Sequence, residues 1–276
     1  MASSPDAAPP GLPPSDDPEV VFIIPLISRA RAYDWGVVQR HLRATLGALR
    51  AQTSPRWRAL VCCQDRPEEV AFDGQVSFLP FVAADVVRDE TAVVFDNHAK
   101  KDLMLDHLAA THGGDGYVFQ LDADDLLHPR LVEHIVADNN GAGYWIERGY
   151  MYDVARDRLA YLGPKRLRYP FGHTFLRECG SSSALRFDFR RDARCLETIR
   201  DRGKHAEVPA RMAAHGLAMT PVPFPAALYL VGHGENMRQR RGKLGAKMRY
   251  MRRNRLLPRA ARRVRNEFRL RALLEP

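Results

Sequence analysis

Over the first half of the chain, apolar and polar positions alternate between two repeating patterns. Val20-Val21-Phe22-Ile23-Ile24-Pro25-Leu26 is a continuous apolar run, the pattern of a strand buried on both faces of a parallel sheet. Pro25 has no amide hydrogen and marks where this strand leaves the sheet. From Trp35 to Gln52, Val38, Leu42, Leu46 and Leu49 recur at helical spacing and predict an amphipathic helix with a basic outer face. Trp57 to Cys63 predicts a second strand, ending in Gln64-Asp65 ahead of Arg66-Pro67, and Val76 to Val82 a third. A helix follows Asp96-Asn97, from about His98 to His112, with Leu103, Leu105 and Leu108 as its apolar contributors. Gly113-Gly114-Asp115-Gly116 then turns the chain into a fourth strand that starts at Tyr117. Strands alternating with helices in this way predict an α/β fold with a doubly wound, mostly parallel twisted sheet flanked by helices.

The second half is less regular. Gly143 to Asp153 mixes aromatic and polar residues, as a strand with one exposed face would. Cys179-Gly180-Ser181-Ser182-Ser183 is a small-residue loop, and Tyr229-Leu230-Val231 starts a closing strand that runs into Gly232-His233-Gly234. Residues 1–18 are rich in Pro, Ala, Ser and Asp without periodicity, which predicts disorder. The expected organisation is therefore a disordered segment over 1–18, one domain over 19–237, and a basic helical tail over 238–276.

Charge sharpens this division. The chain carries a net +9, yet from Arg238 onward fifteen Lys or Arg stand against two Glu. That tail alone is worth +13, leaving residues 1–237 at −4, so the basic character belongs to the tail. Its mixture of arginine with Leu, Val and Phe suits a helix on an anionic membrane surface, non-specific nucleic-acid binding, or a helix packed on the domain with a solvated basic face. No nucleic-acid recognition motif accompanies it. No apolar run approaches the ~20 residues needed to span a bilayer, and no basic flank or apolar core opens the sequence as a secretory signal would. Cys62, Cys63, Cys179 and Cys195 lack zinc-like spacing, and the adjacent pair Cys62 and Cys63 would face opposite sides of a strand. The expectation is a cytoplasmic protein with reduced cysteines, able to meet the inner face of a membrane through its tail.

The candidate chemistry lies in Tyr117-Val118-Phe119-Gln120-Leu121-Asp122-Ala123-Asp124-Asp125, an apolar run that ends in three carboxylates within four positions. Strand alternation would project Asp122 and Asp124 to the same side, where a hard divalent cation would relieve their repulsion. Such cations hold phosphates, and open α/β sheets bind ligands beyond the carboxyl ends of their strands. The alternative is an acidic turn that helps start the helix opened by His128-Pro129. Asp65 also ends a strand and can reach the same crevice. No Gly-x-Gly-x-x-Gly follows the first strand and no Gly-Lys-Ser/Thr loop is present, so phosphates would have to be held by a metal and basic side chains.

The order Val21-Phe22-Ile23-Ile24-Pro25, a helix ending Leu49-Arg50-Ala51-Gln52-Thr53, and a strand ending in Asp65 resembles the nucleotide-sugar half of GT-A glycosyltransferases, above all glycosyltransferase family 2 and its bacterial relatives. Leu121-Asp122-Ala123-Asp124-Asp125-x-x-x-Pro129-x-Leu131 is similar to the Asp-x-Asp region of that group. The resemblance spans residues 20–236, with a nucleotide-sugar half over 19–127 and an acceptor half over 128–237. It implies a GT-A (Rossmann-like) fold and an inverting hexosyl transfer from a nucleotide-diphosphate sugar to a hydroxyl of a saccharide or lipid-linked acceptor, assisted by Mn²⁺ or Mg²⁺. It further implies that Asp65 contacts the base, Asp122 the ribose or sugar, and Asp124 the metal, with Asp96 and one of Lys100 and Lys101 near the nucleotide. Of the two lysines, Lys101 is the stronger candidate and Lys100 fits a solvated helix face. The usual Asp-Asp-Gly-Ser after the second strand is replaced here by Gln64-Asp65-Arg66-Pro67.

The resemblance also places a general base in the segment from Gly203 to Gly216, before a helix containing Arg211. Glu207 fits the family's chemistry and His205 its spacing, with Glu207 preferred. His233, after the closing strand, falls where the family often has a histidine near the metal. Trp145, by sugar stacking, and Ser181, by hydrogen bonding, are candidates on the acceptor side. A non-catalytic module that uses the same fold to bind glycans or anionic surfaces is the alternative.

Overall fold

The computed structural model describes residues 12–82, 90–191, 194–235 and 244–274. In chain order, the first half consists of β1 (Val20–Pro25), α1 (Trp35–Arg50), β2 (Trp57–Cys63), β3 (Val76–Pro80), α2 (Glu90–Thr111), β4 (Asp115–Gln120), β5 (Asp125–Leu127) and α3 (Leu131–Asp138). The second half adds β6 (Gly143–Trp145), β7 (Gly149–Asp153), β8 (Arg158–Leu162), α4 (Phe175–Glu178), β9 (Ser183–Asp188), α5 (Cys195–Arg200), α6 (Val208–Ala214), β10 (Thr220–Pro221) and β11 (Ala227–Val231). Three helices follow, α7 (Leu244–Arg253), α8 (Pro258–Glu267) and α9 (Leu270–Leu274).

The main sheet has seven strands in the order β10-β6-β9-β4-β1-β2-β3. Strand β1 lies at its centre, parallel to both β2 and β4, and every one of its six residues is buried. Alternation along β1 divides the core. Phe22 and Ile24 face one side with Val38, Leu42, Leu46 and Leu49 of α1, whereas Val21 and Ile23 face the other with Met104, Leu105 and Leu108 of α2. Helices on both faces are what a continuous apolar strand requires. Cys63 and Cys62 divide in the same way between the two cores, so they cannot pair. All four cysteines are free thiols.

Several boundaries differ from the sequence reading. Helix α2 starts at Glu90 rather than near His98, because Asp96 does not break the helix but pairs with Lys100 one turn later, at 3.0 Å. Strand β3 ends at Pro80. The stretch from Gly143 to Asp153 is two strands, not one. β6 joins the main sheet, and β7 joins a second sheet ordered β5-β11-β7-β8. The switch falls at Gly149, where a Cβ would stand 2.4 Å from the Ala227 carbonyl oxygen, so only glycine allows the backbone of β11 to approach.

Residues 1–11 and the expected boundary at 237/238 lie outside the described residues. Residues 12–18, expected to be disordered, are instead held on the domain. Ser15 is buried and exchanges hydrogen bonds with Asn139, and the Pro13 carbonyl accepts from Arg186. The tail is equally integral. Leu256, Ala261, Val264, Phe268 and Leu270 are buried with Ala44 and Ala48 of α1 and Leu228 and Leu230 of β11. Among the described residues, no helix is long and apolar enough to cross a membrane.

Candidate active site

A cleft of about 420 Å³ opens at the carboxyl ends of β1, β4 and β11. Its acidic edge is a turn, not the tip of a strand as the alternation suggested. Strand β4 stops at Gln120, the Leu121 N–H donates to Ile23, and Asp122-Ala123-Asp124 bends away before β5 pairs with β11. The bend still delivers both Asp122 and Asp124 to the cleft wall. Two contacts fix it, the Thr45 hydroxyl of α1 donating to the Ala123 carbonyl at 3.0 Å and the Asp122 N–H donating to Ser181 Oγ at 2.9 Å.

Asp125 lies beneath this wall and is fully buried. Its Oδ2 accepts from Ser181 Oγ at 2.6 Å and from Cys179 Sγ at 2.9 Å. Burial, and then the charges of Asp124 and Asp122, raise its pKa well above the ordinary carboxylate range. Burial also raises Asp122, with Lys101 pulling against the shift. At Asp124 burial acts upward as well, but the imidazoles of His233 and His41 outweigh it, and the net displacement is downward. Burial thus acts upward on all three neighbouring carboxylates, and at Asp124 alone among them the nearby imidazoles reverse its direction.

Basic groups converge from four other elements. Helix α2 contributes Lys101, whose ammonium is depressed by burial and supported by Asp122. His233 follows β11, with Nε2 2.9 Å from Asp124 Oδ2. His41 of α1 packs its ring 4.3 Å from that of His233 and is pushed down to about 4, by burial first and the neighbouring imidazole second. From the tail, the buried Lys247 bonds the Tyr229 hydroxyl and stands 3.7 Å from that ring, which lines the cleft.

The residues present fit a divalent cation on two counts. Asp122, Asp125 and Cys179 form a buried group whose ligand atoms lie within 4.8 Å of one another and could hold a metal ion. Beside it, Nδ1 of His233 is buried without a hydrogen-bond partner among the described residues, while its Nε2 faces Asp124 Oδ2. Buried imidazole nitrogens are rarely left in that state unless something else binds them.

Of the residues singled out from the sequence, Asp96, Lys100, Lys101, Asp122, Asp124, His205 and His233 line this one cleft. The others do not. Asp65 Oδ2 accepts from the Arg29 N–H at 2.8 Å, and its neighbour Gln64 reaches the site instead by donating to Asp96. Glu207 is half exposed and paired with Arg211 at 3.4 Å, away from the cleft. Trp145 lies on β6, in register with Ser183 and Pro221. Ser181 is fully buried and braces the acidic turn, leaving no hydroxyl surface for an acceptor. Lys100, on the cleft wall, is buried and not solvated, and donates to the Leu26 carbonyl and to Asp96.

His205 gains weight from its surroundings. Its Nδ1 bonds the Leu176 carbonyl, which can only accept, so Nδ1 carries the proton and Nε2 is the basic nitrogen. The sequence reading missed His41, Cys179 and Lys247. His41 falls one helical turn after Val38, on the buried face of α1, which was its available signal. Lys247 is brought in by tail packing that no local pattern announces. No family model matches the chain, and no curated protein sequence matches it.

Proposed function

We propose that this chain is a metal-dependent glycosyltransferase of GT-A type, moving a sugar from a nucleotide-diphosphate sugar to a hydroxyl of a saccharide or lipid-linked acceptor. The observation that carries this reading is the meeting of Asp122, Asp124, His233 and Lys101 in one cleft at the carboxyl ends of parallel strands. Asp124 and His233 would hold Mn²⁺ or Mg²⁺, a donor pair that favours Mn²⁺ because imidazole suits it better than Mg²⁺. A cation bound there would supply Lewis-acid neutralisation of the departing diphosphate.

The remaining roles belong to side chains. Asp122 lies against Gly180, where a Cβ would stand 3.3 Å from its Oδ2, and accepts hydroxyls of the donor. Lys101 sets a point charge against the diphosphate, strengthened by its partial burial. His205, rather than Glu207, takes the acceptor proton on Nε2, a neutral imidazole being matched to a pH near neutrality.

The test is a screen of nucleotide-sugars for Mn²⁺-dependent thermal stabilisation, since a ligand that binds the folded state raises its apparent stability. One uridine or guanosine diphosphate sugar is expected to stabilise the protein, and Asp124→Ala to abolish the response. An equal response in the variant removes Asp124 from the site. A screen with no stabilising nucleotide-sugar overturns the reading.

A further inference from the structure

Away from the cleft, two segments with no carboxylate between them meet on one surface. Residues 163–171 carry Lys165, Arg166 and Arg168, and residues 250–263 carry six arginines. Several contacts join them. The Arg253 guanidinium lies 4.9 Å from the Phe171 ring, Tyr161 stacks on Tyr169 at 4.6 Å, and the Tyr161 N–H donates to the Asn254 carbonyl. This basic surface also presents apolar side chains to solvent. Leu167 is fully exposed at 102 %, Leu257 54 % and Phe171 53 % exposed. The exposed leucine in Lys165-Arg166-Leu167-Arg168 is not accounted for by packing among the described residues.

Next to this surface, a second cavity of about 280 Å³ lies between the β7–β8 turn and α7. Five arginines line it, Arg156, Arg158, Arg249, Arg252 and Arg255, against the single carboxylate of Asp153. Asp153 is committed to Arg156 at 3.1 Å, so the cavity keeps a large positive excess. Guanidinium groups gathered without counter-charges are suited to phosphate oxygens, which they bind in bidentate fashion.

We propose that this face docks on an anionic lipid bilayer. Leu167, Phe171 and Leu257 enter the boundary between headgroups and acyl chains, and the surrounding arginines, including those of the cavity, take the lipid phosphates. The arginine stems reach along the apolar tips while their heads stay at the phosphate level. The aliphatic tips favour a bilayer over nucleic acid, where affinity for single strands would call for exposed aromatic rings on which bases stack. Among the described residues of this face only Phe171 is an exposed large aromatic, and Arg253 lies over it. The proposal does not depend on the chemistry of the cleft.

The test is co-sedimentation of the full chain with vesicles of phosphatidylcholine alone and of phosphatidylcholine mixed with phosphatidylglycerol. Binding is expected only to the anionic vesicles, weakening as salt is added. Leu167→Ser with Phe171→Ser removes solvent-exposed side chains and should weaken binding at least about tenfold, with the circular dichroism spectrum unchanged. Arg252→Gln with Arg255→Gln should weaken it to a similar degree, at about fivefold per arginine. The proposal is overturned by equal binding to both vesicle types, by no binding to either, or by anionic binding that the Leu167/Phe171 variant leaves intact. Tighter binding to a mixed-sequence DNA or RNA than to anionic vesicles, unaffected by that variant, also overturns it.

Discussion

His233 Nε2 stands 2.9 Å from Asp124 Oδ2, joining the turn after β4 to the turn after β11. The two residues are separated by more than a hundred positions, and each element alone would leave its side chain facing solvent. With the His233 side chain almost wholly buried and its Nδ1 without a hydrogen-bond partner among the described residues, the pair is poised to share a cation. His233→Gln should therefore weaken Mn²⁺ binding about tenfold or more, and Mg²⁺ binding much less, because the amide oxygen replaces nitrogen by a harder donor. Isothermal titration with each metal measures this. Equal losses for both metals would mean that the ring orients Asp124 and does not ligate.

The position of His205 in the cleft, and of Glu207 outside it, separates two candidates that the sequence left side by side. With the nucleotide-sugar found by thermal stabilisation, His205→Asn should lower kcat by about 100-fold or more, the usual contribution of a general base. Glu207→Gln should leave kcat within about twofold, since its carboxylate only pairs with Arg211 on the surface. The reverse ranking would return the role to Glu207.

The contrast between these two residues shows what the sequence carried and what it did not. Strand β1 and helices α1 and α2 were legible because their apolar spacing alone dictates which face is buried. Asp122 and Asp124 were legible because a strand running into carboxylates has few structural uses. Glu207 was preferred on residue type, whereas it is His205 that lines the cleft. A local motif does not say that a 3-10 turn over His205–Glu207 will point one side chain inward and the other out. His41 and Lys247 needed tertiary contacts, an imidazole pair across α1 and the turn after β11, and a lysine delivered by α7. The tail could be read as basic, but its burial against α1 depends on Gly47, where a Cβ would meet Leu273 at 2.7 Å.

Asp125 gives a stability prediction independent of any activity. Its carboxyl accepts from Cys179 and Ser181 and is buried beneath the acidic turn. Asp125→Ala leaves a thiol, a hydroxyl and the Leu230 N–H facing an emptied acceptor position, which should cost about 3 kcal/mol or more in urea denaturation. Asp125→Asn keeps an oxygen for the two side-chain donors and matches a carboxyl whose raised pKa favours the neutral form, so it should cost about 1 kcal/mol. Equal costs for the two variants would show that volume, not the acceptor, is what the site requires.

The His128 ring packs 5.1 Å from Phe224 and 5.5 Å from Phe268, a tail residue, and its Nδ1 accepts from the Arg130 N–H. Burial depresses its pKa below the usual histidine value. Glu267 on α8 acts weakly in the opposite direction, and the Arg130 side chain acts weakly in the same one. A proton on this ring would break the bond from Arg130 and place a charge between two phenyl groups. Well above pH 6.5 the ring is neutral both folded and unfolded and contributes no pH dependence. Below it the unfolded chain takes up a proton that the folded chain resists, so stability falls as pH falls. His41 and His134, also depressed by burial, add to the same slope. His128→Asn keeps an acceptor for the Arg130 N–H but does not titrate. It should therefore flatten, without abolishing, the decline of Tm between about pH 6.5 and pH 5. An unchanged slope would mean that His128 is protonated in the folded protein, and that the seam with the tail opens at mildly acidic pH.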